Sequence, residues 1–371
     1  MSNSSAAVLR GPRTPLVVEP APVPEPDPDE VVVRVRAVAV NPVDWVVQGV
    51  GQVVYRWLRY PAVLGSDVAG EVVATGADVT RFRVGDRVFG LATGTDRGRD
   101  PRHEGAFQHH TALLERLVAP TPSGLTDAQA AVLPLGASTA ACALFQPTHL
   151  GLRMPGTSSA PARGVVVVWG GSTSVGMNAV QLARAAGYDV VSTASPRNAA
   201  AVRALGAELV VDHHDAGAVD ALVAGIGTRP VLGAVALGPT SADACLRVLR
   251  RTGGTALALA STPVSLAGLA GRRSLFPAMV PVFTRIGLRT AALLWRARRA
   301  GVRAGFVWGS SLRDDEVGRR LWAEVLPGGL SDGTLRAVPE PLVVGSGLGA
   351  VQTALDRQRA GVSARKVVVT F

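Results

Sequence analysis

Two segments of this chain carry residues suited to holding a phosphorylated ligand. Gly171-Ser172-Thr173-Ser174-Val175-Gly176 follows the apolar run Val165 to Trp169 and opens a helical pattern. A turn of this kind brings backbone N–H groups at a helix N-terminus close to a pyrophosphate. Thr173 stands at the middle glycine of a G-x-G-x-x-G pattern, and the hydroxyls of Ser172, Thr173 and Ser174 are placed to donate to phosphate oxygens. About twenty residues on, the next strand pattern ends in Ser195-Pro196-Arg197-Asn198, where an NAD-selective site would carry an acid. A guanidinium beside a hydroxyl suits a 2′-phosphate, so the cofactor expected is NADPH. The plainer alternatives are an ordinary strand-to-helix turn and a solvated Arg197.

A second constellation is Asn41-Pro42-Val43-Asp44. Asn41 is a candidate amide donor to a substrate carbonyl. Asp44 is a candidate for orienting the loop or relaying a proton. The same four residues also read as a turn, from Asx chemistry plus proline.

These residues need a scaffold, and the patterning describes one. The first 130 or so residues are strand-like, with alternation from Val31 and two strands around a turn over Glu71–Gly90. Helical signals begin over Leu125–Phe145, with Thr126 or Asp127 as a cap. From Gly164 strand and helix alternate. The strands are expected at Val165–Trp169, Asp189–Thr193, Leu209–Val211, Val231–Leu237, Thr255–Ala260 and Ala304–Val307, with helices such as Gly176–Ala186 and Ser241–Arg250 between them. Such alternation implies α/β architecture, a parallel sheet covered on both faces. Leu237-Gly238 and Ala260-Ser261 close later strands at the carboxyl edge, where ligands bind in such sheets. A helix over Gly349–Arg359 and a strand over Lys366–Phe371 end the chain, the strand returning to the N-terminal region. The basic, apolar stretch from Ser261 to Gly305 reads as a buried helical insertion or lid, in preference to a membrane-facing amphipathic helix.

Length and composition exclude several classes. The 371 residues suffice for two cores, and 47% are hydrophobic. The net charge of +10 comes from dispersed arginines, Lys366 being the sole lysine, so nucleic-acid binding is not expected. A basic surface would attract an anionic partner such as an acyl carrier protein. Cys142 and Cys245 lie in apolar surroundings and read as buried free thiols. With neither a signal peptide nor a membrane span in the pattern, the expected compartment is the cytoplasm. The state expected is a monomer or homodimer.

Along nearly its whole length the chain resembles the medium-chain dehydrogenase/reductase superfamily. The resemblance rests on NPVD (Asn41–Asp44), PAVLGSDVAGEVVATG (Pro61–Gly76), FRVGDRVFG (Phe82–Gly90), GAFQHH (Gly105–His110), LPLGASTA (Leu133–Ala140), GGSTSVG and LGAELVVDH (Leu205–His213), in the family's order. It implies a GroES-like, mainly β catalytic domain over residues 1–133, a doubly wound Rossmann domain over 134–312 and a return segment over 313–371. It also implies that Gly136, Ser138 and Thr139 lie by the nicotinamide amide or ribose; the plainer reading of Thr139 is a helix N-cap, and the two are compatible. The chain is similar to the zinc-independent branch. Asn41, Ser66-Asp67 and an apolar stretch around Leu135 stand where zinc-using members supply Cys, His-Glu and Cys or His, and the structural-zinc lobe has no cysteines. The His103, Glu104, His109 and His110 spacing matches no zinc pattern, so no metal is expected.

Without a Lewis acid, the easiest hydride chemistry is addition to a C=C bond conjugated to a carbonyl, with donors stabilising the enolate. Quinone reductases and enoyl reductases of the branch work in this way, and GGSTSVG with TASPRN is especially similar to trans-acting polyketide enoyl reductases. The expected function is therefore reduction of an enoyl or polyene of natural-product type. The rivals are a quinone oxidoreductase and, from another class, an NADPH-binding interaction or nucleic-acid module without turnover. Tyr55 is the nearest candidate proton donor. It arrives late after the asparagine motif and could serve only if its loop folds back; otherwise water or a reductive ring closure would consume the enolate. The substrate pocket is expected to be built from loops over Val46–Tyr60 and Asp96–Glu104 and from the Ser261–Gly305 stretch.

Overall fold

The computed structural model describes residues 4–156, 163–261 and 276–371, without the side chains of 52 and 276–280. The N-terminal part contains β1 (Ser5–Leu9), β2 (Val17–Pro20), β3 (Glu30–Ala39), α1 (Pro42–Val54), β4 (Ala62–Val63), β5 (Asp67–Thr75) and β6 (Arg87–Leu91). It continues with α2 (Pro101–Glu104), β7 (His110–Leu114), β8 (Val118–Pro120), α3 (Asp127–Ala130) and α4 (Pro134–Phe145). The alternating part contains β9 (Val165–Trp169), α5 (Ser174–Ala185), β10 (Asp189–Thr193), α6 (Pro196–Ala204), β11 (Leu209–Val211) and α7 (Ala218–Ile226). After these come β12 (Val231–Ala236), α8 (Ser241–Thr252), β13 (Ala256–Leu259), α9 (Phe276–Arg299) and β14 (Arg303–Phe306). The chain closes with α10 (Glu316–Arg320), α11 (Leu326–Ser331), β15 (Glu340–Ser346), α12 (Val351–Arg359) and β16 (Arg365–Thr370).

The six-stranded sheet is parallel, in the order β11-β10-β9-β12-β13-β14. Chain order reverses between β9 and β12, and the doubly wound arrangement leaves a crevice at that switch point. The expected strands are all present, with ends that differ by a residue. β9 is buried at every position, as a central parallel strand requires. The helix expected from Gly176 starts at Ser174, because Thr173 accepts the Gly176 N–H at 3.0 Å and caps it.

The seven-stranded mixed sheet runs β15-β16-β3-β5-β6-β8, with β7 also on β3. β16 pairs antiparallel with β3, so the C-terminal strand does return to the N-terminal region. Two segments differ from expectation. Residues 46–60, expected as a pocket loop, are mostly the helix α1, started by Pro42 at N1 and by Asp44, which accepts the Asn41 N–H at 2.7 Å. Its Val47 and Val50 are buried. The described part of the stretch 261–305, expected as a buried insertion or lid, is not buried. Residues 262–275 lie outside the described ones, and α9 is exposed along most of its length, with Leu293 and Ala297 as its buried contacts.

A buried ionic cluster closes the lobe before β7. Arg99 bridges two carboxylates, reaching Glu30 Oε1 at 2.7 Å and Glu104 Oε2 at 2.6 Å. His103 Nε2 lies 2.8 Å from Glu30 Oε2, and Thr93 donates to Glu104 at 2.7 Å. Burial alone would raise the Glu30 carboxyl, but the His103 hydrogen bond, with Arg99 beside it, holds it below the ordinary range. The bond to Glu30 raises His103 against the opposing effect of burial.

The signs set a window. The Glu30 contribution is present above its ordinary pKa and is lost as pH falls through the depressed one. The His103 contribution is present below its ordinary pKa and is lost as pH rises through the raised one. The pair is therefore worth most between about pH 4.5 and 6.5. Glu30→Gln should cost about 3 kcal/mol, since it strands buried cationic partners. In thermal melts the gap between wild type and His103→Gln should be wider at about pH 6 than at about pH 9; equal gaps would refute the pairing.

Candidate active site

A cleft of about 370 Å³ opens outside the carboxyl ends of β9, β12 and β13 and faces α1. From the parallel sheet it receives Thr173, Ser174 and Val175 at the start of α5, Leu237-Gly238 after β12 and Ala260-Ser261 after β13. Ser261 Oγ accepts the Gly238 N–H at 2.8 Å and ties those two strand ends together. From the other side come Asn41, Tyr55, Ser66, Thr95 and Asp96, while α4 supplies Gly136 and Thr139.

The phosphate turn is built for close approach. A Cβ on Gly176 would stand 2.2 Å from the Gly170 carbonyl oxygen, and one on Gly171 would stand 2.1 Å from Ser192 Oγ. Glycine at 136 lets α4 lie against α5, since a Cβ there would meet Ser174 Oγ at 2.5 Å. Ser174 Oγ is buried without a hydrogen-bond partner, as is Ser138 Oγ within α4. An unpartnered hydroxyl at a helix N-terminus, beside a cradle that Cβ atoms would fill, fits a dinucleotide pyrophosphate. Two hydroxyls are used differently from expectation. Thr173 Oγ1 donates to the Gly170 carbonyl at 2.9 Å and is spent on the cap. Thr139 is no N-cap: it lies inside α4, and its hydroxyl donates to the Leu135 carbonyl at 2.7 Å. Ser172 is half-buried on the same turn.

Ser195, Arg197 and Asn198 do not line the cleft. They begin α6, beyond the end of β10. Arg197 is exposed and has no ion pair among the described residues. Asn198 Nδ2 reaches Ser363 Oγ at 3.0 Å, linking this turn to the loop before β16.

On the opposite wall, Asn41 Nδ2 donates to Asp67 Oδ2 at 2.8 Å. Lys366 Nζ approaches the same oxygen at 2.5 Å, and the Leu135 N–H donates to Oδ1 at 2.6 Å. Asp67 is fully buried and Lys366 is 4% exposed. Two N–H donors and the Lys366 ammonium thus surround this carboxylate. One Asn41 amide proton is spent here, so a substrate carbonyl could use only the other. Asp44 lies beneath, not in the cleft wall; burial, against the Asn41 N–H bond, pushes its carboxyl up to about 7.

Tyr55 follows α1, and its ring packs 5.3 Å from Trp57 and 5.6 Å from Trp308. Helix α1 brings it back to the cleft, where its hydroxyl has no hydrogen-bond partner among the described residues. Burial, with Asp96 and Asp44 adding to it, pushes the phenol well above its ordinary value. Asp96 itself accepts from Ser310 Oγ at 2.9 Å, and burial raises it. The expected histidines have other work: His103 pairs with Glu30, and His110 Nδ1 lies 3.1 Å from Ser4 Oγ.

Sequence reasoning placed Asp96 on a pocket loop but missed the Asp67–Lys366 pair and the Trp308–Ser310 segment that completes the Asp96 wall. A single lysine in an arginine-rich chain, on an apolar terminal strand, was the available signal for the first. Nothing local marked the second.

A doubly wound nucleotide sheet, joined to a β-rich part by a cleft, defines an oxidoreductase scaffold. Residues 27–123 match the alcohol dehydrogenase GroES-like domain. The chain is 43% identical to dehydrogenase pigH of Monascus ruber over 90% of each chain. It is 37% identical to trans-enoyl reductase himH of Aspergillus japonicus, over 89% of this chain and 86% of that one. The quinone oxidoreductase structure from Coxiella burnetii is 25% identical, with a TM-score of 0.68 over 99% of both chains. The chain belongs to the medium-chain dehydrogenase/reductase superfamily and is an oxidoreductase.

Lys366→Met leaves Asp67 buried and unpaired, which should cost about 3 kcal/mol in urea unfolding, while Lys366→Arg should recover part of it. A loss under about 0.5 kcal/mol, the range of an ordinary surface change, would count against the pair as a strut.

Proposed function

We propose that this chain is an NADPH-dependent, zinc-independent reductase that delivers hydride to a C=C bond conjugated to a carbonyl. The observation that carries the reading is the juxtaposition of the α5 N-terminus with the unpartnered Tyr55 hydroxyl across one mainly apolar cleft. A nicotinamide supplies the hydride when bound. The chain's own residues bind and orient it: α5 N–H groups and Ser174 meet the pyrophosphate, and Arg197 with Ser195 meets the 2′-phosphate. Gly136 lets α4 close onto the start of α5 beside the ring, and Leu237-Gly238 and Ala260-Ser261 close its far wall.

On the substrate side, the free amide proton of Asn41 is the donor for the carbonyl oxygen as charge collects there. Asp44 fixes the turn that presents Asn41. Tyr55 is the proton donor to the enolate carbon, its ring held against Trp57 and Trp308. The similarity to a protein named a trans-enoyl reductase supports a polyketide-type substrate. Carriage on an acyl carrier protein belongs to the same reading, as does ring closure when the enolate meets an internal electrophile before Tyr55.

The test is an NADPH-oxidation assay with an α,β-unsaturated thioester, a quinone and a simple ketone. Oxidation is expected with the thioester. Turnover of the ketone alone, or of none of the three, would overturn the reading, and a strong preference for the quinone would favour the quinone reductase instead. Tyr55→Phe should lower kcat roughly 100-fold with KM for NADPH unchanged. Arg197→Ala should weaken NADPH, and not NADH, by roughly ten- to a hundredfold; equal losses would remove the 2′-phosphate assignment.

A further inference from the structure

Helix α9 straps the two parts of the molecule together with one face and leaves the other bare. Val282, Phe283 and Ile286 pack around Val50 with Val46 and Val54 of α1, the helix whose first turn lines the cleft. Leu293 and Ala297 enter the core of the parallel sheet, and Arg296 pairs with Asp243 of α8 at 2.6 Å. The outer face carries Leu288, 68% exposed, and Trp295, 58% exposed. Seven residues separate them, which puts them within about 20° of one line along the helix.

Arginines flank that line. Arg285, Arg289 and Arg296 fall on one side and Arg298 on the other, while Arg299 stacks over the Trp295 ring at 4.8 Å. Arg285, Arg289 and Arg298 have no ion pair among the described residues. No carboxylate occurs anywhere between Asp243 and Asp314. Such a density of unpaired positive charge, with apolar groups at the crest, has no partner within the described molecule.

We propose that the outer face of α9 is a docking surface for an anionic phospholipid membrane. The layering decides between lipid and protein. Apolar side chains form the crest and guanidiniums the shoulders, so a helix lying flat puts Leu288 and Trp295 at the acyl boundary and the arginines among phosphates. The inference does not rest on the proposed reaction. Its consequence for any apolar substrate is that the α1 side of the cleft would sit near the bilayer from which that substrate partitions.

The experiment is co-sedimentation of the full chain with phosphatidylcholine vesicles, with and without phosphatidylglycerol. Binding is expected with phosphatidylglycerol only, and it should fall steeply as salt rises. Arg285→Glu with Arg289→Glu, and separately Leu288→Ser with Trp295→Ser, should each cut partitioning roughly tenfold or more at unchanged melting temperature. Equal binding to neutral vesicles, no binding to anionic ones at low salt, or unaltered binding by both variants would overturn it. Binding of the arginine face to a purified acidic carrier protein, with none to vesicles, would overturn it in favour of a protein partner.

Discussion

The site hangs on one buried carboxylate. Asp67 begins β5, and it is the point where three otherwise separate parts of the chain meet: Asn41 before α1, the first turn of α4, and Lys366 on the C-terminal strand. A charge with no solvent access is tolerated only where it is paired and hydrogen-bonded. That requirement makes the three connections mutually dependent. The last strand must pair with β3 to deliver Lys366, and α4 must start where it does to offer the Leu135 N–H. Asn41 is thereby held with its side chain toward the carboxylate. An ammonium and two N–H donors do the joining.

From this anchor the cleft acquires its two unlike walls. The parallel sheet ends supply glycines, a capped helix and an unpartnered Ser174, all suited to an anionic, backbone-contacted cofactor. The polar groups of the other wall are Asn41, Ser66, Thr95, Asp96, Ser310 and the Tyr55 hydroxyl, set among apolar side chains. The ionic cluster around Arg99 stiffens the lobe that carries Thr95 and Asp96 into this wall. Cores of small residues along α4 and α5 keep the walls together, with glycine at 136 as the point of closest contact.

Much of the fold was legible before any coordinates. Six strands of a parallel sheet, the phosphate turn and the returning terminal strand all follow from buried runs punctuated by glycine. The misreadings have physical causes. Residues 46–60 looked like a loop because Gly49 and Gly51 interrupt the apolar spacing, yet Val47 and Val50 still give α1 a buried face. The stretch containing α9 looked buried because it is apolar, but hydropathy is blind to which side of a helix meets a neighbour. Tyr55 looked too far from Asn41 until α1 carried it back to the cleft.

What the amino-acid order determined by itself is local: periodicity that fixes strand and helix, glycines that allow a tight turn, a proline and an aspartate that start α1. The turn that opens α5 was readable for that reason, since its residues lie within a few positions of one another. Tertiary structure alone decided which distant residues meet. Asp67 and Lys366 are separated by most of the chain, as are Tyr55 and Trp308, and no local pattern encodes their contact. Long-range pairing of the C-terminal strand and closure of the two sheets over α4 bring them together, because only there can the buried charge find its donors.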